Sequence, residues 1–98
     1  MNHEAKLFDP AAYLDDDIAV ATYMSDALET ADPAFITDAL GVVARARGMS
    51  QVAKDAGLSR ESLYRALSSN GNPEFATILK VMAALGLKLS AGPSAGVE

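Results

Sequence analysis

Ninety-eight residues, half of them hydrophobic and none a cysteine, make one domain that buries about 60–65% of the surface its unfolded chain exposes. That composition excludes a disulfide framework and a thiolate metal site, and a single histidine, His3, makes neither a metal cluster nor a catalytic dyad. The net charge of −5 argues against a nucleic-acid ligand until it is divided: residues 1–48 hold nine acids against three bases, and residues 49–98 hold four against five, so the second half has the local field that suits phosphate.

The start, MNHEAKLFDPAAYLDDD, lacks the apolar run of a signal peptide, and no later stretch is long enough to span a bilayer, so a soluble cytoplasmic protein without membrane contact is expected. Met1 to about Pro10 shows no periodicity and reads as a mobile lead-in; Ala11–Leu14 has the makings of a short helical turn. The triplet Asp15, Asp16 and Asp17 precedes a helix carrying Ile18, Ala21, Tyr23, Met24, Ala27 and Leu28. Carboxylates there cap free amides and suit the helix dipole. As metal ligands they are poorly placed, because adjacent side chains diverge and no further ligand spacing follows.

Asp32 and Pro33 open the next helix as N-cap and first helical residue. It runs through Phe35, Ile36, Ala39, Leu40 and Val43 and ends at Gly48 after Arg45 and Arg47, basic residues that also suit the end of a helix dipole. Two short helices follow, Ser50 to Ala56 and Ser59 to about Leu67, then a polar loop in which Asn70–Gly71 is a turn signal. A last helix from Pro73 to Leu85 is expected to turn Phe75, Ile78, Leu79, Met82 and Leu85 inward and to stop at Gly86. Leu87–Lys88–Leu89 alternates, as a short strand or an extended tail would, and Ala91–Glu98 is small and flexible in composition.

The twenty residues MSQVAKDAGLSRESLYRALS, Met49 to Ser68, carry the functional signal. Val52, Ala53, Ala56, Leu58, Leu63 and Ala66 are apolar, and Gly57 stands where the chain must turn sharply through a conformation unfavourable to a Cβ. Ser59 follows as an N-cap, and Ala53 is small where two steeply crossing helices would touch. This pattern reads as a helix-turn-helix whose second helix faces a major groove; an ordinary helical hairpin shares the glycine turn and the small contact residue. The exposed face would hold Ser59, Arg60, Glu61, Tyr64 and Arg65, with Ser62 beside them. Arg60 or Arg65 suits guanine O6 and N7. Glu61 suits a cytosine amino group or an arginine to be held in place. Tyr64 is open to two roles, a thymine-methyl or phosphate contact and half-buried packing. Ser50 and Gln51 suit backbone phosphate at the start of the preceding helix, and Arg45, Arg47 and Lys54 are weaker phosphate candidates. No Gly-rich phosphate loop and no Cys/His or Ser/His pair with a base is present, so no enzyme, cofactor or metal is expected.

The stretch from Asp32 to Leu89 resembles the addiction-module antidote proteins, HigA-like antitoxins of the Xre/Cro-type helix-turn-helix superfamily, through ALGVVARARGMSQVAKDAGLSRESLYRALS and GNPEFATILKVMAALGLKL. YLDDDIAVATYMSDALETADP is similar to that family's leading helix. Gly71 and Pro73 fall in the loop before the final helix, and the core does not depart from the pattern. The resemblance implies an all-α bundle of about five helices, a lambda-repressor-like DNA-binding domain plus an N-terminal helix. Residues 1–31 would be an acidic lead-in and helix, 32–89 the helix-turn-helix domain and 90–98 a tail. It further implies a homodimer on a double-stranded DNA operator upstream of its own operon, which neutralises a small RNase-type toxin encoded beside it. Such toxins are typically basic, which would give the acidic half a partner. A stand-alone regulator of phage-repressor type, or an interaction module that has lost DNA binding, would carry the same residues. Two surfaces are candidates for the dimer seam: Ile18, Tyr23 and Met24 as exposed residues of the first helix, and Leu87–Leu89.

Overall fold

Local capping chemistry sets most of the helix boundaries. The computed structural model describes residues 16–94, which form α1 (Asp17–Glu29), α2 (Pro33–Arg47), α3 (Met49–Ala56), α4 (Arg60–Ala66) and α5 (Phe75–Ala84) and no strand. The expected lead-in, the Ala11–Leu14 turn, Asp15 and the end of the tail lie outside the described residues. Asp16 accepts a hydrogen bond from the Ala19 amide at 2.7 Å, and Asp32 accepts one from Ala34 at 3.0 Å. Each carboxylate satisfies an amide that the first turn of a helix leaves without a partner. Pro33 opens α2 as expected. By contrast α5 begins two residues later than the sequence indicates, at Phe75, with Glu74 as an N-cap that makes no side-chain hydrogen bond.

The corners between helices are tight. Gly48 alone separates α2 from α3, at φ 106° and ψ 111°. Its amide donates to the Ala44 carbonyl and its own carbonyl accepts from Val52, so one residue closes one helix and opens the next. Between α1 and α2 the left-handed position falls on Ala31, at φ 53°, where a Cβ is strained.

The helix α3 packs against α2, α4 and α5, while α1 lies against α2. Val20, Met24, Leu40, Val43, Leu63, Val81 and Leu85 form the fully buried centre, and residues of all five helices belong to one hydrophobic cluster. Burial pushes the pKa of the Tyr23 hydroxyl above its ordinary value; Asp38 adds to the rise and Arg45 opposes it. No helix among the described residues is long and apolar enough to cross a membrane.

Several expected faces are corrected. Met24 is not on the surface of α1 but 1% exposed, and Tyr23 is half-buried, because α1 turns its Val20–Met24–Ala27 flank toward the core. Ile18 remains outside, 80% exposed. Phe75 and Leu79, expected inward, are exposed, as is Phe35 in the first turn of α2. The core side of α5 runs through Ile78, Val81, Met82 and Leu85. Leu79 lies a step of about 100° around the helix from Ile78, and Phe75 begins the helix before the covered stretch. Leu87–Leu89 forms no strand. Gly86 (φ 77°) turns the chain so that Leu87 N–H reaches the Met82 carbonyl, and both leucines then pack half-buried against the core.

Candidate nucleic-acid interface

The short helix α4 has seven residues, too few to persist alone in water, so its position depends on what holds its two ends. At its start Gly57 sits in the left-handed region at φ 73° and ψ 30°. Its amide returns to the last turn of α3, and Leu58 N–H donates to the Ala53 carbonyl at 2.9 Å. Leu58 thereby drops against the core. Ser59 then caps α4, its Oγ accepting from Ser62 N–H at 3.0 Å and donating to Ser62 Oγ at 2.8 Å. Leu63, 0% exposed, is the anchor within α4, and Ala53 on α3 is buried in the core.

At the far end Gly71 stabilises α4 through space. Its amide closes a turn onto Ser68 O at 2.8 Å, and a Cβ placed on it would fall 2.3 Å from the Ala66 carbonyl oxygen and 2.7 Å from that of Arg65. The loop after α4 is folded back on the helix end so closely that only a glycine fits. Gly41 in α2 performs a related service: a Cβ there would lie 3.2 Å from the Arg45 guanidinium and 3.4 Å from the Leu67 carbonyl oxygen. The Asn70–Gly71 pair announces the turn but not this contact, and no local pattern marks Gly41.

With both ends fixed, α4 turns Arg60, Glu61, Tyr64 and Arg65 outward, where the four line one open hollow of about 490 Å³. Tyr64 is 44% exposed. The Arg60 guanidinium stands over its ring, 5.3 Å from the centroid, and donates to its hydroxyl at 3.3 Å. Cation and ring therefore hold one another in an extended position. Ser59 is exposed and Ser62 half-buried beside the cap.

The other candidates are more dispersed. Ser50 and Gln51 are exposed in the first turn of α3, but Gln51 Nε2 donates to Asp55 Oδ1 at 2.9 Å, which draws its amide along the helix. Lys54 is exposed on the same helix. Arg45 lies over Gly41 and within the electrostatic reach of Tyr23. Arg47 donates to Asp17 Oδ1 at 3.0 Å across thirty positions of sequence, a pairing that no sequence spacing announces. No group of three or more potential metal ligands occurs among the described residues.

Residues 4–93 match the model of a family described as probable addiction module antidote protein. The chain is 49% identical over 88 residues to a Haemophilus influenzae protein described as uncharacterized, a match covering 90% of this chain and 91% of that one. No solved structure matches it. A family match over nearly the whole length takes in all five helices together with the exposed face of α4, and the chain accordingly belongs to the family of probable addiction module antidote proteins.

Proposed function

We propose that this chain is the antitoxin of a type II toxin–antitoxin module: a cytoplasmic protein that binds and neutralises a small, basic RNase-type toxin and represses its own operon. The observation that carries the DNA-binding part is the gathering of Arg60, Glu61, Tyr64 and Arg65 on one exposed face of a helix whose core anchor is Leu63. In this reading α3, Gly57 and α4 are a helix-turn-helix of Xre/Cro type within residues 32–89, and α4 enters the major groove. Residues 1–31 are the acidic lead-in and helix, and 90–98 the tail. Arg60 and Arg65 contact guanine edges, Glu61 accepts from cytosine, and Tyr64, kept outward by Arg60, meets a thymine methyl or a phosphate. Ser59 and Ser62 border the same edge. Ser50 and Gln51 lie at the backbone with the amides of the α3 start, and Lys54, Arg45 and Arg47 add positive field. Family membership supports a toxin partner, and the acids of the first half suit a basic one. Its role needs no catalytic residue, metal or cofactor.

Co-expression of the tagged chain with the product of the neighbouring reading frame, followed by pull-down and gel shift on the upstream intergenic DNA, tests both halves. Co-purification of a small basic protein and a salt-sensitive shift of that DNA are the expected results. A shift without a partner leaves a simple repressor of phage type. A partner without a shift refutes the role given to α4.

A further inference from the structure

The first residue of a helix is a poor place for a cation to rest. The dipole is positive at that end, and an arginine side chain is among those with the most rotamer freedom to lose. Arg60 stands at the start of α4 and is exposed, yet it is held. In a helix the Cα–Cβ bond tilts toward the N-terminus, so a side chain covers the turn before its own position. Tyr64, one turn after Arg60, accordingly lies back over the start of α4. Its ring sits under the Arg60 guanidinium, 5.3 Å from Cζ to the centroid, and its hydroxyl accepts from Arg60 Nη2 at 3.3 Å. Tyr64 is the better fixed of the two: it follows Leu63, which is fully buried, and a tyrosine has few side-chain torsions to order.

We propose that Tyr64 is a positioning residue for Arg60, and that the pair reads guanine as a unit. The proposal rests on the DNA-binding reading above and deepens it, since there the two side chains contact DNA separately. An arginine can only donate, so the tyrosine oxygen is the acceptor of their hydrogen bond. The guanidinium has more N–H groups than guanine O6 and N7 take up, and its fork therefore remains available while one N–H is held by Tyr64. The ring steadies the cation before DNA arrives, so less rotamer freedom is lost when the fork docks. Arg65 lies on the same face but follows Tyr64 directly, and consecutive helical residues do not face each other. It stands outside the pair and serves as its control. In a homodimer on a palindromic operator, each copy would bring one such pair to its half-site.

Binding of the full chain to the upstream intergenic DNA, measured by fluorescence anisotropy, tests the coupling through a double-mutant cycle. Tyr64→Ala should weaken binding by about five- to tenfold, and Tyr64→Phe, which retains the ring face, by no more than about twofold. The loss should be smaller on a scrambled duplex, because non-specific binding does not use the guanine edge. In an Arg60→Ala background Tyr64→Ala should cost less than about twofold, whereas in an Arg65→Ala background its full loss should remain. Helical circular dichroism should not change, since Tyr64 is exposed and alanine favours helix. In the free chain, nitrogen relaxation of the Arg60 Nε–H group should show a restrained side chain that Tyr64→Ala releases. A tyrosine loss equal in the intact and Arg60→Ala backgrounds makes Tyr64 an independent DNA contact and overturns the proposal, while the DNA-binding reading stands. An Arg60 side chain equally mobile with and without the ring overturns it in the same way. If Tyr64 restrains Arg60 but the unaltered chain does not bind the intergenic DNA, the DNA-binding reading itself falls, and the reading role of the pair with it.

Discussion

The helices α1 and α4 use their side chains in opposite ways. Along its thirteen residues α1 buries Val20, Met24 and Ala27 and shows solvent a row of acids with Ile18. Across its seven, α4 buries Leu63 and gives the rest of its circumference to exposed or half-buried side chains. The first is held by its own apolar flank. The second is held from outside, by Ser59 at one end, by the glycine-wedged loop at the other and by one leucine between them. Local stability and surface chemistry are thus separable on α4, where substitutions that spare Leu63 and the caps leave the fold alone. On α1 the two are joined back to back.

The sharpest way to break this contrast is to remove the anchor. Leu63→Ala should destabilise the chain by about 2–5 kcal/mol, the usual loss for a buried leucine, measured by urea unfolding followed by circular dichroism. It should abolish DNA binding with it. A loss under about 1 kcal/mol would mean that α4 is held by its ends alone. On the surface of the same helix Arg65→Ala should shift stability by less than about 0.5 kcal/mol and weaken binding to the operator by about 1–3 kcal/mol, by loss of a base-edge contact. A gel-shift series with equal losses on operator and scrambled DNA would reduce Arg65 to a phosphate contact.

What the sequence reveals of these two helices follows the range of the forces involved. Asp32–Pro33, Gly57 and Ser59 are legible because a cap, a fixed φ and a left-handed turn act within three or four residues, and the structure has each of them in that capacity. The side of a helix that faces inward is set by distant neighbours. Periodicity alone therefore left Phe75 and Leu79 inside and Met24 outside, the reverse of their positions. Leu87–Leu89 alternates like a strand, but among the described residues there is no strand to pair with, and its two leucines close over the core as extended chain. The face of α4 was legible because Arg60, Glu61, Tyr64 and Arg65 recur at helical spacing on one short helix. Gly41 and the Arg47–Asp17 pair were not, since each depends on segments brought together only by folding.

The corner after α1 provides a smaller test of how firmly that helix is seated. Ala31 adopts φ 53° at an exposed position. Replacing it with glycine removes the Cβ strain, roughly 1–2 kcal/mol, and adds freedom to the unfolded chain that offsets part of the gain. Ala31→Gly should therefore raise stability by about 0.5–1 kcal/mol in the same urea titration. A loss of stability would show that the turn relaxes its φ when α1 is free to shift.

The smallest expected effect concerns the ion pair by which the end of α2 is tied to α1. Arg47, a candidate phosphate contact, donates to Asp17 on the acidic helix, with the carboxylate 91% exposed. So exposed a pair adds little to stability, and Asp16, not Asp17, is the residue that caps α1, so Asp17→Asn leaves the helix start in place. The substitution frees a guanidinium and removes a negative charge beside it. At low salt, affinity for the operator should rise by roughly two- to five-fold, and the gain should shrink as salt screens the field. Net charge alone would produce the same sign, so the decisive measurement repeats the substitution in an Arg47→Ala background. If the gain persists there, it comes from the general field and the two helices act independently; if it disappears, Asp17 restrains Arg47, and a basic partner that takes hold of Asp17 would release that arginine to the DNA.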